Sequence, residues 1–178
     1  LGTPSGRVRF TSFHDDTIGL DGDGVGPAPS GGDWGGIVLR EDSDSASKQI
    51  FVNTVANADF RYGGGSVLID SQLQSITPLH LVSTRPTLAF NTITDSSGAG
   101  ISADPNSFED TSDSNGRAGP EFRGNLFTET RNDGPGSTPL THQNSINGVF
   151  VRINTSLASS VEKLTVPARF KSRDVVYV

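Results

Sequence analysis

The sequence predicts an all-β chain wound as a solenoid, and three observations predict it. A pattern occurs twice, thirty-four positions apart: Pro86, Leu88, Asn91, Ile93, Thr94, Asp95 and Ser96, then Pro120, Phe122, Asn125, Phe127, Thr128, Glu129 and Thr130. Recurrence at such a period marks repeated structural units. The segments between turns are short apolar alternations set among Thr, Ser, Gly and Asn. Helical repeats need long Ala, Leu, Glu and Lys stretches at a 3.6 period instead. Only 33% of the 178 residues are hydrophobic and 21 are glycine, which is lean for a thick globular core but sufficient for a thin coil.

The elements follow in order. Residues 7–13 alternate cleanly and read as a strand with Val8 and Phe10 inward. A long Gly, Pro and Asp loop runs from His14 to Asp33. Ile37 and Leu39 then point one way, and Gly35 and Gly36 let the backbone turn tightly or approach its neighbour. The acidic stretch 41–48 is an exposed turn or a short helix start, with Ser43 and Ser45 as caps. Residues 50–62 read as strands broken near Asn57, Gly63 to Gly65 as a turn, and Val67 to Ile69 and Leu79 to Val82 as short strands. The first repeat copy covers 86–101. An acidic insertion separates it from the second copy, and removing that insertion leaves a rung of about twenty residues, within the range of β-solenoid repeats. After a Gly/Pro loop at 132–139 come Ile146 to Ile153, Leu164 to Phe170 and Val175 to Val178.

Within the repeat, Leu88 and Phe90 fall on one strand face. A bend at Asn91 returns Ile93 to the inside, because Asn tolerates left-handed backbone and its amide bonds to nearby backbone. Asn91, Asn125 and Asn147 stack as an amide ladder inside the coil, or are three unrelated turn asparagines.

The run RPTLAFNTITDSSGAGI, with echoes in FRGNLFTET and NSINGVFVRI, resembles rungs of right-handed parallel β-helix proteins of the pectate-lyase-like type. The segments FHDDTIGLDGDGVGPAPSGGDWGGI and LTVPARFKSRDVVYV are similar to parts of very large secreted or surface-attached bacterial proteins. The resemblance implies a right-handed parallel β-helix over residues 1–178 as one domain, extracellular or at the cell surface. It does not choose between enzyme, adhesin and stalk, since the fold carries all three.

Composition narrows the function. The net charge is −6, and the 14 basic residues are dispersed, so a nucleic-acid partner is not expected. No apolar run reaches the roughly 20 residues of a membrane span. Cysteine and methionine are both absent; disulfides cannot contribute, and Leu1 reads as the start of a processed product or of a segment of a longer chain. The apolar C-terminal strand needs a cap, the next rung of the parent chain, or a second copy in a homo-oligomer.

The best site candidate is the first loop, where Asp15, Asp16, Asp21 and Asp23 stand among glycines. Hard cations take several carboxylate and carbonyl oxygens on a flexible backbone, so these four are the expected Ca2+ ligands, against a solvated turn. Asp104, Glu109, Asp110, Asp113 and Asn115 in the insertion are a weaker set of the same kind. His14, His80 and His142 show no metal spacing, and His80, between Leu79 and Leu81, is expected to face solvent. No nucleophile elbow is present. Lyases on this fold pair Ca2+ with a basic residue, and hydrolases use clustered carboxylates. Arg61, Arg123 and Arg152, or Asp59 with Asp95 and Glu129, could line such a face. Trp34 either closes the coil with its indole N–H satisfied or stands exposed as a sugar platform. The expected function is a noncatalytic structural or adhesive segment. The alternatives are a carbohydrate-active enzyme on an acidic polysaccharide and a fibre-forming subunit. Convergence of carboxylates and a basic residue in one groove is the discriminating feature.

Overall fold

The computed structural model describes residues 2–19, 24, 26–44, 51, 53–69, 71–116, 119–152, 167–170 and 175–178. Three parallel sheets carry the fold. The first joins β1 (Val8–Phe10), β4 (Ala58–Arg61) and β9 (Thr92–Thr94). The second joins β2 (Ile37–Arg40), β7 (Leu79–Val82), β10 (Ala99–Ala103) and β14 (Ile146–Val151). The third joins β3 (Thr54–Ala56), β8 (Thr87–Ala89) and β11 (Glu121–Arg123). Along the chain the sheets are visited first, second, third, three times over. Leu126 then bridges to Thr92 on the first sheet before β14 returns to the second. The shortest circuit puts His80 beside Ser102, 22 positions on, close to the rung length expected from the sequence.

The two repeat copies lie side by side in register, with Leu88 opposite Phe122. Asn91 Oδ1 accepts from the Ala58 N–H at 3.1 Å, and its Nδ2 donates to the Val55 carbonyl and to Asn125 Oδ1, both at 2.9 Å. Asn125 Nδ2 in turn donates to the Leu88 carbonyl at 2.7 Å. The ladder therefore exists, but two of its expected details change. The left-handed residue is the one before each ladder position: Asn57, Phe90 and Gly124 have φ of 53°, 56° and 59°. Phe90 consequently leaves the inward face and is 51% exposed, while Leu88 is fully buried. Its ring lies over Gly124, where an added Cβ would come within 2.8 Å of Phe90 Cδ1. Asn147 is not a ladder member. It accepts from Asn144, which is the residue that reaches into the coil, donating to the Ile93 carbonyl at 2.7 Å.

Inside the three sheets Phe60, Leu79, Leu81, Leu88, Ile93, Ile101, Phe108 and Val149 are buried in one cluster. Each such side chain stabilises by about 1.5–3 kcal/mol through burial. Phe10 stacks on Phe60 at 4.9 Å, and Trp34 packs beside both rings with its indole N–H donating to the Arg61 carbonyl at 2.6 Å. Val8 is exposed on the edge strand β1, whereas Phe10 on the same strand is covered by Phe60 and Trp34. Gly36 makes the close approach foreseen for it: a Cβ there would lie 2.2 Å from the Thr77 carbonyl.

His80 departs most from expectation. It points away from the core between Leu79 and Leu81, yet it is 1% exposed. Its Nδ1 meets Ser102 Oγ at 2.7 Å, and Ser102 Oγ meets Thr77 Oγ1 at 2.8 Å. Burial, followed by the charge of Arg152, lowers its pKa from 6.5 to about 4.

Two antiparallel hairpins, not foreseen as such, leave the coil between the first and second sheets: β5 (Ser66–Ile69) with β6 (Gln72–Ser75), and β12 (Thr128–Arg131) with β13 (Leu140–Gln143). The loop from residue 11 to 36 leaves at the same corner of an earlier circuit. Residues 41–43 form a single 3-10 turn with Arg40 before it as the cap position and no side-chain cap bond there, so Ser43 falls inside the turn; Ser45 lies outside the described residues. The insertion holds a second 3-10 turn, Pro105–Phe108, capped by Asp104. Of the last two expected strands, residue 168 makes one bridge to Glu109, and Tyr177 one parallel bridge to Val149. Val176 and Val178 are exposed. Among the described residues no helix is long and apolar enough to cross a membrane.

Candidate functional site

The corner between the first and second sheets is short in the third circuit, where β9 passes to β10 within a few residues. The first circuit sends out the 11–36 loop and the fourth the β12–β13 hairpin at the same corner. A groove of about 500 Å³ lies between them, with Tyr62 and Asp95 facing it. Both take left-handed backbone, φ 61° and 58°, one position after the paired residues Arg61 and Thr94. Their strained backbone thus belongs to the repeated corner. A second depression of about 540 Å³ shares Tyr62, Asp95 and Pro29 and extends along Ser96, Ser97 and Asn144.

Arg131, on β12, stands behind the groove's far wall and joins the residues that form it. Its Nη2 donates to Asp95 Oδ2 at 2.8 Å and to the Tyr62 hydroxyl at 2.9 Å; its Nη1 reaches Glu129 at 3.2 Å, and its Nε lies 3.3 Å from Asp133 Oδ1. His142, opposite Glu129 on β13, places Nδ1 3.0 Å from Asp95 Oδ1 and Nε2 3.2 Å from Asp133 Oδ2. Arg131, Asp95, His142 and Asp133 therefore close a ring. Burial alone would lower the pKa of Arg131, but the hydrogen bond and charge of Asp95 outweigh it and the pKa is raised. Burial raises the Tyr62 phenol above 10, so the hydroxyl keeps its proton at neutral pH and can donate it into the groove.

Changing Arg131 to methionine leaves Asp95, Glu129 and Asp133 without their shared cation. Loss of a buried partner costs about 3–5 kcal/mol, but these carboxylates are partly wet, so about 2 kcal/mol is expected here. Hydrogen exchange should show the loss as faster opening confined to residues 128–143, with the Asn91 ladder unchanged.

The carboxylates foreseen as Ca2+ ligands are divided. Asp15 is buried, accepting from the hydroxyls of Thr11 and Thr17 and from the Thr17 N–H, with Arg61 Nη1 at 3.8 Å. Asp16 is exposed on the groove's near wall. Asp21 and Asp23 lie outside the described residues. The insertion set is not brought together: Asp104 takes the N–H groups of Ser83 and Ser107, Glu109 pairs with Arg85 at 3.1 Å, and Asp113 accepts from Asn115. Among the described residues no group of three or more His, Cys, Asp or Glu is arranged to hold a metal ion.

The other candidates separate cleanly. Asp95, Glu129 and Arg61 do meet at the groove, Arg61 Nη2 lying 3.5 Å from Glu129. Arg123 is exposed on β11 beside Glu121, Arg152 binds the Ser75 carbonyl, and Asp59 pairs with Arg7 at 2.5 Å. Sequence reasoning missed Arg131, Asp133 and Tyr62, and it weighed His142 only as a metal ligand without the spacing for one. The available signal was TETR and LTHQ flanking a Gly/Pro turn, two polar alternations that read as a solvated hairpin. No protein family, no curated protein and no solved structure matches this chain.

Proposed function

We propose that the chain is a noncatalytic, adhesive segment of a large extracellular protein, a right-handed parallel β-helix of the pectate-lyase-like type that holds a saccharide in this groove. The observation that supports it most is the Arg131 hub. A glycoside hydrolase sets one carboxyl as acid against another as base or nucleophile. Here Asp95, Glu129 and Asp133 all pair with one guanidinium instead, which makes a fixed polar surface suited to hydroxyl groups. The cyclic order of three parallel sheets and the buried asparagine ladder favour a stiff support for such a surface. The first loop enters the proposal as a Ca2+ site through Asp16, Asp21 and Asp23, since the oxygens of Asp15 are engaged by Thr11 and Thr17.

A carbohydrate-active enzyme is the second reading, favoured by one observation: His142 bonded to Asp95 beside the Tyr62 hydroxyl has the form of a base and its orienting group. One experiment separates the two. Neutral, amino and uronic oligosaccharides are offered in calcium and in chelator, and binding, reducing ends and unsaturated products are followed. Binding without products is expected. Turnover lost in Asp95→Asn and His142→Gln would install the enzyme instead, and equal melting temperatures in calcium and chelator would remove the metal.

A further inference from the structure

The groove is acidic on both walls. Five carboxylates, Asp15, Asp16, Asp95, Glu129 and Asp133, stand at or behind it against the guanidinium groups of Arg61 and Arg131. No lysine or arginine is among the described residues that line it. A uronic acid brought here would meet like charge in a partly desolvated cleft, whereas a cation would be drawn in.

A second observation is independent of that charge. His142 lines the groove with nine-tenths of its side chain buried. Its Nδ1 is satisfied by Asp95 Oδ1, but its buried Nε2 makes no hydrogen bond: Asp133 Oδ2 lies 3.2 Å away without the alignment a bond requires. In the tautomer whose Nδ1–H donates to Asp95, Nε2 presents a lone pair to a carboxylate. Two acceptors side by side call for a donor between them. A hydroxyl carries one hydrogen, whereas a primary ammonium carries three and a positive charge, enough for both acceptors and a third partner. Asp133 has a third of its side chain exposed, so it is the member of the pair that can swing aside to admit one.

We propose that the groove takes a primary ammonium group, carried by an amine-bearing saccharide of the glucosamine class, seated among His142 Nε2, Asp133 and Asp16. The inference rests on the saccharide reading above and names the class of sugar. Tyr62, with its hydroxyl hydrogen free because Arg131 donates to its oxygen, serves a neighbouring ring oxygen or hydroxyl.

The test is calorimetric titration of the intact chain with glucosamine oligomers, their N-acetylated counterparts and galacturonic acid oligomers of equal length. The amine form is expected to bind about tenfold more tightly than the acetylated one, which corresponds to about 1.4 kcal/mol, with an affinity that falls as salt is raised. Asp133→Asn should erase that difference, and Asp16→Asn, on the opposite wall, should reduce it. Melting curves of both variants establish that they fold. Equal or tighter binding of the acetylated or uronic oligomers would overturn the ammonium site and leave the saccharide reading standing. Binding of none of the three would overturn both. A nitrogen NMR spectrum showing His142 protonated on both ring nitrogens with the amine oligomer present would mean that the pair closes on itself, and would also overturn the inference.

Discussion

Asn91→Leu will destabilise the chain by about 4 kcal/mol, the largest loss expected from any single ladder position. The side chain is fully buried and its two polar atoms serve three partners on two neighbouring circuits: the Ala58 N–H, the Val55 carbonyl and Asn125 Oδ1. Leucine has the same branching but larger methyl groups, so the core stays filled and the loss combines unpaired hydrogen bonding with some crowding. A buried donor or acceptor left unpaired costs about 1–3 kcal/mol. The Ala58 N–H is orphaned outright and the Val55 carbonyl loses its side-chain donor, while Asn125 Oδ1 keeps the Asn91 N–H at 3.1 Å. Denaturant unfolding of Asn91→Leu, Asn125→Leu and the double variant measures the coupling. The double variant should lose about 1 kcal/mol less than the sum, since each single change already spoils the amide contact between them. Strict additivity, or a loss below about 1 kcal/mol in Asn91→Leu, would mean that water or a shifted backbone takes over and that the ladder does not hold the circuits together.

The same residues show why part of the fold was legible in the sequence. A circuit that returns to the same place asks for the same residue type there, so Leu88 and Phe122, or Asn91 and Asn125, repeat because their surroundings repeat. What did not repeat was harder to read. Asn144 and Asn147 are three apart in one turn-rich segment, and nothing one-dimensional tells which of them enters the coil. Phe90 has the right parity for the core, but the left-handed corner falls on it and turns it out.

The site was legible only in its inner half. Asp95 and Glu129 lie on the repeat itself, Glu129 where the repeat runs into β12, while Arg131, Asp133 and His142 lie beyond the repeat on or between the strands of the hairpin. That hairpin is polar on both faces for most of its length, so hydrophobic periodicity is blind to it. Its strands gain their meaning from the cation they share with the corner: Arg131 alone joins the Thr94 hydroxyl, Asp95 and Tyr62, three residues far from it in sequence. A further signal lay in the insertion, where Asp104 followed by Pro105 is a cap and first helical position rather than a metal ligand.

Acid will weaken the chain through His80, by about 3 kcal/mol between pH 6.5 and 4. In the folded state burial, reinforced by Arg152, lowers the pKa of His80 to about 4, against 6.5 in the unfolded chain. Above pH 6.5 the ring is neutral in both states and its contribution is complete. As the pH falls from 6.5 towards 4, the unfolded chain takes up a proton that the folded chain refuses, so unfolding is favoured. Below about 4 both states bind the proton and the loss levels off. A displacement from 6.5 to about 4 corresponds to about 3 kcal/mol. Carboxylates add their own acid dependence, so the comparison to make is between the wild type and His80→Asn, whose amide can still meet Ser102 Oγ and carries no titrating group. The difference in unfolding free energy between the two should fall by about 3 kcal/mol across that window and stay flat above pH 7. Proton NMR of the His80 ring, followed down to pH 3.5, gives the folded value directly. A ring that titrates near 6.5, or two stability curves that run parallel from pH 7 to 4, would show that water reaches His80 and that the hydrogen-bond chain through Ser102 and Thr77 does not seal it.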